Sequence, residues 1–354
     1  MEQVVASPVL RRVALDPILS WGWRRYLADG RTPTLAYRAM RTSFLTPATS
    51  TRGRLEERAR HEQPPLRLPP EPDGLVAGMR RDLLAELRRD GLAVLPSLLP
   101  PAMCDEITGH ARSATCTLVD PHHGGAASAP FDPSAPRAIR YDLAEEDLLE
   151  SACMQQLLAD ESLLALAQDF LGGSPVQDLV AGWWSAPGPG SQSRAAQLFH
   201  FDLDRPSFLK LFVYLTDVTT ETGPHAFVRG THRALPRRFR ADRRYSDAEV
   251  IAHFGGDVVR VSGPRGTLFL ADTRALHKGE PVLSGHRLVV QLEWATSLFG
   301  APYARPQLRT PEPSLVEAMR RHPSAYRRFD GCPPARSGAD QRPDRYQGAS
   351  ISAR

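Results

Sequence analysis

From Val176 to Ala295 the chain is a train of short β-rich runs: "VQDLVAGWWSA", "FLKLFVYLTDV", "HAFVRG", "DVVRVSG", "GTLFLAD" and "HRLVVQLEWA". Turn residues separate them, which is the signature of a sandwich or barrel rather than of a helical bundle or a parallel α/β sheet. Two of the runs have distinct faces. In "RLVVQLEW", Leu288, Val290, Leu292 and Trp294 share one side, and Arg287, Val289 and Gln291 share the other. The aliphatic side wants a core, so the arginine side can look into a cavity, where a planar guanidinium is suited to bidentate pairing with a carboxylate. In "FLKLFVYLT", Leu209, Leu211, Val213 and Leu215 form an aliphatic face opposite Phe208, Lys210, Phe212, Tyr214 and Thr216.

Upstream of these strands the pattern is helical. Residues 1–80 combine "SWGWRRYLADG", "TLAYRAMRTSFL" and "RGRLEERARHEQ" with the proline-rich "PPLRLPPEPDG", and read as a helical, Arg/Pro-rich extension ending in a linker. An amphipathic helix follows, with Leu75, Met79, Leu83, Leu84 and Leu87 at helical spacing up to Gly91, then a short strand "LAVL" and a helix entered through Pro101. The stretch from Cys116 to Pro136 is too rich in Gly, Ala, Ser and Pro for a regular element. It reads as a loop, either a lid or a mobile surface, in which the adjacent His122 and His123 are solvated. "EEDLLESACMQQLLADESLLALAQDFLG" predicts one or two helices ending at Gly172-Gly173. Residues 301–354 form a C-terminal extension with one helical piece at "SLVEAMRRH" and a disordered last twenty residues.

Composition excludes several classes. A 42% hydrophobic and 24% charged chain of 354 residues is an ordinary globular protein with room for a sizeable core. No apolar run reaches the ~18 residues of a spanning helix, and the start lacks the pattern of a secretory signal, so a cytoplasmic protein is expected. The four cysteines are far apart, with no C-x-x-C pair, and read as reduced, buried thiols rather than as a zinc knuckle or disulfide framework. Forty-four basic residues are offset by 40 acidic ones, and the N-terminal charge is of mixed sign, so nucleic acid is not the expected partner. Lys210 and Lys278 are the only lysines.

The chemistry converges on "QLFHFDLDRPSFLK". Residues two apart in a strand point to one face, so His200 and Asp202 present an imidazole and a carboxylate to the same point while Phe201 turns away. A facial triad needs one more histidine, and His277, just after "GTLFLADTRAL", is the candidate. Two histidines and one carboxylate with open positions suit non-haem Fe(II).

The ordered set of H-x-D, distal His and following Arg, together with "LRRDGLAVLPSLLPPAMCDEI", "LTDVTTETGPHAFVRGTHR" and "GPRGTLFLADTRALHKGEPVLSGHR", resembles the phytanoyl-CoA dioxygenase-like group of Fe(II)- and 2-oxoglutarate-dependent oxygenases over residues 83 to 300. The resemblance implies a mainly β fold with flanking helices, a double-stranded β-helix over residues 81–300 packed by the N-terminal helices. It implies iron held by His200, Asp202 and His277, with 2-oxoglutarate and O2 as cosubstrates and Arg287 as the partner of the distal oxoglutarate carboxylate. It also implies that Phe212 borders the cosubstrate, that Arg140 in "AIRYDL" helps to hold it, and that the Phe208 to Thr216 face lines the cavity. Lys210 and Tyr214 then become candidates for substrate contact. Lys210 needs an anionic partner there, either a carboxylate or phosphate of an anionic small-molecule substrate, or Asp217 or Glu293.

Two features depart from the family pattern. The interval from His277 to Arg287 is one residue shorter than usual, and Gly279 stands where a hydroxyl residue often contacts oxoglutarate. Because Asp202 is present, the expected outcome is C–H hydroxylation with release of succinate and CO2 rather than halogenation; desaturation and ring closure stay open. The alternatives are a cupin-like metal-binding protein without oxygen chemistry and an oxygenase acting on a macromolecule.

Overall fold

A computed structural model describes residues 8–45, 50–119, 127–188 and 197–330. The strands are β1 (Leu92–Leu95), β2 (Cys116–Val119), β3 (Ala127–Ala129), β4 (Arg140–Asp142), β5 (Val176–Ser185), β6 (Phe208–Tyr214), β7 (His225–Val228), β8 (Val258–Val261), β9 (Leu268–Ala271), β10 (His277–Gly279) and β11 (Arg287–Ala295). They form an eight-stranded sheet in the order β1-β9-β6-β11-β5-β4-β2-β3 and a three-stranded sheet in the order β10-β7-β8. Every pairing is antiparallel. The mainly β architecture with flanking helices agrees with the sequence expectation.

All seven residues of β6 and all nine of β11 are buried, because each strand is covered on both faces by different chemistry. Leu209, Leu211, Val213, Leu288, Val290, Leu292 and Trp294 pack with the helices Arg80–Asp90, Pro101–Ser113, Ala152–Ala159 and Glu161–Leu171. Phe212, Tyr214 and Val289 join Trp183, Phe227 and Phe269 between the sheets. Register aligns the inner faces into rows: Glu293 beside Lys210 beside Ala271, and Gln291 beside Phe212 beside Phe269.

The N-terminal segment forms helices Pro8–Asp29, Thr34–Leu45 and Ser50–Arg60. Their Trp23, Tyr26, Met40, Phe44 and Leu55 bury in one cluster with Phe199, Phe201, Leu203 and Phe299. The extension therefore backs the H-x-D segment, and Phe201, turned away from its two polar neighbours, is one of its contacts. At the other end, the helix Pro313–Arg321 and the following Tyr326 and Phe329 complete the core beneath the helical layer.

Three local readings are revised. The predicted helix from Leu75 begins only at Arg80, because the Asp160 carboxylate and the Ser162 hydroxyl accept from the backbone N–H groups of Leu75 and Val76, at 2.7 and 3.0 Å, and hold that turn out of the helix. Part of the supposed 116–136 loop is the β2–β3 pair at the edge of the large sheet, where ladder hydrogen bonds outweigh weak local propensity. His122 and His123 lie outside the described residues, as do the last twenty-four. The stretch from Glu145 to Leu171 holds three short helices, the second and third capped by the Ser151 and Asp160 side chains.

Arg205, three residues beyond Asp202, makes a buried bidentate pair with Asp178 on β5, Nε to Oδ2 at 2.6 Å and Nη2 to Oδ1 at 2.7 Å. It pins the loop that carries the H-x-D motif to the large sheet. Removing one partner strands the other in the interior, so Asp178→Ala is expected to lower unfolding stability by ~3–5 kcal/mol in a denaturant titration.

Candidate metal centre and anion pocket

His200 and His277 face each other across an isolated antiparallel bridge, with N–H···O bonds of 2.9 and 2.8 Å in the two directions. The bridge adds the H-x-D segment to the β10 edge of the small sheet and sets the two rings 4.4 Å apart. Each Nδ1 lies beside a backbone carbonyl, Leu198 O at 2.9 Å and Ala275 O at 3.0 Å. Those contacts fix Nδ1–H as the donor and leave both Nε2 lone pairs for a metal. The Asp202 N–H bonds Thr273 O at 2.9 Å, and its carboxylate approaches His200 Nε2 at 3.8 Å and His277 Nε2 at 3.5 Å. One ligand atom from each residue lies within 4.8 Å of the others, the one such group among the described residues.

The electrostatics suit a cation. Burial, with the neighbouring His277, pushes the His200 imidazole down to about 3, and burial also lowers His277. Both rings are therefore neutral ligands at ordinary pH. Burial alone would raise the Asp202 carboxyl, but Lys210 and the two imidazoles hold it well below the usual range, keeping it ionised.

Lys210 is placed where the sequence left two options open. Its Nζ donates to Asp202 Oδ2 at 2.8 Å and lies 3.4 Å from Glu293 Oε2. Asp217 is turned elsewhere, accepting from the Arg265 N–H at 2.8 Å. Lys210 thus bridges the Asp202 carboxyl to a second buried one, a contact with Asp202 that the sequence reading did not foresee. Burial raises the Glu293 carboxyl to about 8 against the pull of Lys210, and Glu293 Oε1 has no hydrogen-bond partner. Tyr214 is committed to protein groups: its hydroxyl donates to Val261 O at 2.9 Å, accepts from the His225 N–H at 3.0 Å and lies 3.0 Å from His225 Nδ1.

Arg287 is almost fully buried, at 4% exposure. Among the described residues its one hydrogen bond is a long one, Nη2 to Ser185 Oγ at 3.3 Å, while Nε and Nη1 have no partner. Burial lowers its pKa to about 10. A guanidinium in this condition fits an anion, because nothing else offsets its desolvation. The pocket adjoins the metal centre: a Cβ at Gly279, two residues along β10 from His277, would meet Arg287 Nη2 at 3.4 Å. Arg140 and Arg287 flank Ser185 in one row across β4, β5 and β11. The Arg140 guanidinium stacks 4.4 Å over Trp183 and bonds Asp142 at 2.6 Å, so it is half-buried and already paired. Phe212 stacks on Phe269 at 4.8 Å and lies 5.2 Å from His225. The sequence reading passed over Ser185 and His225, each of which becomes visible only when strand register sets it beside Arg287 or Gly279, whereas Glu293 was one of the two partners expected for Lys210.

Two packed antiparallel sheets holding a His-Asp-His cluster beside a buried, unsatisfied arginine define a metal-dependent double-stranded β-helix protein. The family model described as phytanoyl-CoA dioxygenase matches residues 87–289, more than half of the chain, and the chain belongs to that family. Membership makes it an iron- and 2-oxoglutarate-dependent oxygenase-type enzyme, and the donor set and the Arg287 pocket fit both groups. A comparison with curated proteins finds no match. Among solved structures, the non-heme alpha ketoglutarate dependent epimerase SnoN from nogalamycin biosynthesis is similar, with 21% identity and a TM-score of 0.46 over 61% of this chain and 82% of that one. HygX from Streptomyces hygroscopicus, with nickel and 2-oxoglutarate bound, shows 18% identity and a TM-score of 0.44 over 66% and 93%. No helix among the described residues is long and apolar enough to cross a membrane.

The Lys210 contacts make a prediction about folding. Lys210→Met leaves Asp202 and Glu293 in the interior without their shared cation and is expected to lower stability by ~3 kcal/mol or more. A thermal melt of the metal-free protein beside the wild type measures it.

Proposed function

We propose that this enzyme hydroxylates a C–H bond of a small-molecule substrate, with iron held by His200, Asp202 and His277 and 2-oxoglutarate held at its distal carboxylate by Arg287. The observation that carries the reading is the buried Arg287 guanidinium, its Nε and Nη1 unpartnered among the described residues, next to Gly279 on the same strand as His277. A metal-binding β-sandwich without a cosubstrate has no use for such a charge. When bound, iron would activate O2, the oxidant, and 2-oxoglutarate would supply two of the four electrons that O2 takes up, one oxygen atom going to succinate and the other to the substrate, with release of CO2.

The residues of the chain provide placement. His200 and His277 are pre-oriented by their Nδ1 contacts, so their Nε2 atoms need no rotation to bind. Lys210 takes one oxygen of Asp202, which leaves the other for the metal and favours a single-oxygen ligand. Arg287 neutralises the cosubstrate carboxylate in a region dry enough for the pair to be strong. Phe212, Phe269 and Trp183 line the interior with apolar rings and exclude water from the reacting centre. An anionic substrate group has no claim on Lys210, which is occupied by Asp202 and Glu293. Because Asp202 fills the third protein position, hydroxylation is favoured over a reaction that needs an added halide ligand.

The test is oxygen uptake and succinate formation by purified protein given Fe(II) and 2-oxoglutarate. Alanine at His200, Asp202 or His277 is expected to abolish tight Fe(II) binding and turnover, since a three-ligand site has no spare protein ligand. Full decarboxylation in any one variant removes that residue from the triad. Arg287→Ala is expected to retain iron and lose a few kcal/mol of 2-oxoglutarate affinity, as for removal of a charge-assisted buried pair. Anaerobic titration of the Fe(II) protein measures it, and an unchanged midpoint moves the carboxylate to another base such as Arg140.

A further inference from the structure

We propose that His225 is a second binding residue for the distal carboxylate of the cosubstrate, sharing with Arg287 the pocket opened by Gly279. The proposal rests on the reading of Arg287 given above.

His225 begins β7 and pairs directly with Gly279 on β10, two residues along the ladder from the pairing of Phe227 with His277. A Cβ at Gly279 would lie 3.4 Å from Arg287 Nη2 and 3.9 Å from His225 Nε2. The two nitrogens therefore border the same small space, left clear because position 279 has no side chain. His225 is 4% exposed, and its Nε2 has no hydrogen-bond partner among the described residues. Its ring is held firmly, packed among Phe212, Phe269 and Tyr214 with centroids at 5.2, 5.3 and 5.8 Å. Purely aromatic surroundings would be filled as well by leucine or phenylalanine, with no polar atom to desolvate.

The contact at the other nitrogen decides what Nε2 can do. Tyr214 Oη donates its one proton to Val261 O at 2.9 Å and lies 3.0 Å from His225 Nδ1, so a turn of the hydroxyl can move that proton from the carbonyl to the ring. When that proton goes to Nδ1, the neutral ring carries its own hydrogen on Nε2, aimed into the pocket as a donor. The anion selects this arrangement. Burial and the nearby Arg287 keep the ring neutral, so His225 adds a hydrogen bond without a second buried charge. One carboxylate against one guanidinium stays balanced.

Calorimetry on the full chain loaded with Mn(II) tests this, with 2-oxoglutarate and with 2-oxobutyrate, an oxoacid that lacks the distal carboxylate. His225→Phe and His225→Leu are expected to weaken 2-oxoglutarate binding about ten-fold, the effect of one hydrogen bond to a charged group. Binding of 2-oxobutyrate should stay within about two-fold of wild type, because a hydrogen bond it cannot make cannot be lost. Tyr214→Phe should shift 2-oxoglutarate binding in the same direction. Wild-type 2-oxoglutarate affinity in a folded His225 variant overturns the proposal, as does an equal loss for both oxoacids, which marks a packing role. A wild-type affinity in Tyr214→Phe overturns the assignment of the proton. Should the wild type bind both oxoacids equally, the reading of Arg287 falls as well.

Discussion

The pair of backbone hydrogen bonds between His200 and His277 holds the site together. It joins a segment leading into the large sheet to the edge strand of the small one, so two residues seventy-seven positions apart place their imidazoles 4.4 Å from each other. A backbone bridge fixes separation and facing direction together, leaving the side chains only their torsions to settle. The Nδ1 contacts to Leu198 and Ala275 settle those. Behind the bridge, Phe201 is held in an apolar cluster with the N-terminal helices, and Arg205 ties the same loop to β5. Residues far from the chemistry thereby hold the ligands in register.

Around this bridge the interior charges divide into two compartments. Asp202, Lys210 and Glu293 form one chain of contacts, complete enough to fold before any metal arrives. Asp202 is the ionised carboxylate of the two, since burial raises Glu293, so the negative charge lies on the side where a cation would bind. Arg287 is the counterpart, a buried positive charge without a paired anion among the described residues. A metal at one compartment and a carboxylate at the other would complete both, and one molecule that bears a chelating end and a distal carboxylate does so with a single span. Catalytic sites gather such uncompensated groups at a cost to folding, because the ligand supplies the missing partner.

Much of this was legible in the chain. Alternation in β6 and β11 identified the helix-facing sides correctly, since Leu209, Leu211, Val213, Leu288, Val290 and Leu292 are all in the helix-packed core. The His200, Asp202 and His277 cluster was visible because H-x-D geometry follows from strand period alone, and a distal histidine needed only a later strand to deliver it. What stayed hidden depends on register between strands distant in sequence. Lys210 was given an anionic partner, but the turn of the loop that brings Asp202 back onto it has no local signal. His225 reads as one more polar residue in "GPHAFV" until β7 is laid against β10. The β2–β3 pair was missed because edge strands need little side-chain propensity, and Gly74 to Met79 because capping groups eighty residues away decide that turn.

The central claim is that one ion sits among these three side chains. Anomalous diffraction at the iron edge, from crystals grown or soaked anaerobically with Fe(II) and 2-oxoglutarate, tests it without relying on turnover. The account predicts one strong peak within bonding distance of His200 Nε2, His277 Nε2 and one Asp202 oxygen, with oxoglutarate density running from it to Arg287. A principal peak bound elsewhere in the protein, or full-occupancy oxoglutarate that leaves Arg287 without a partner, contradicts it.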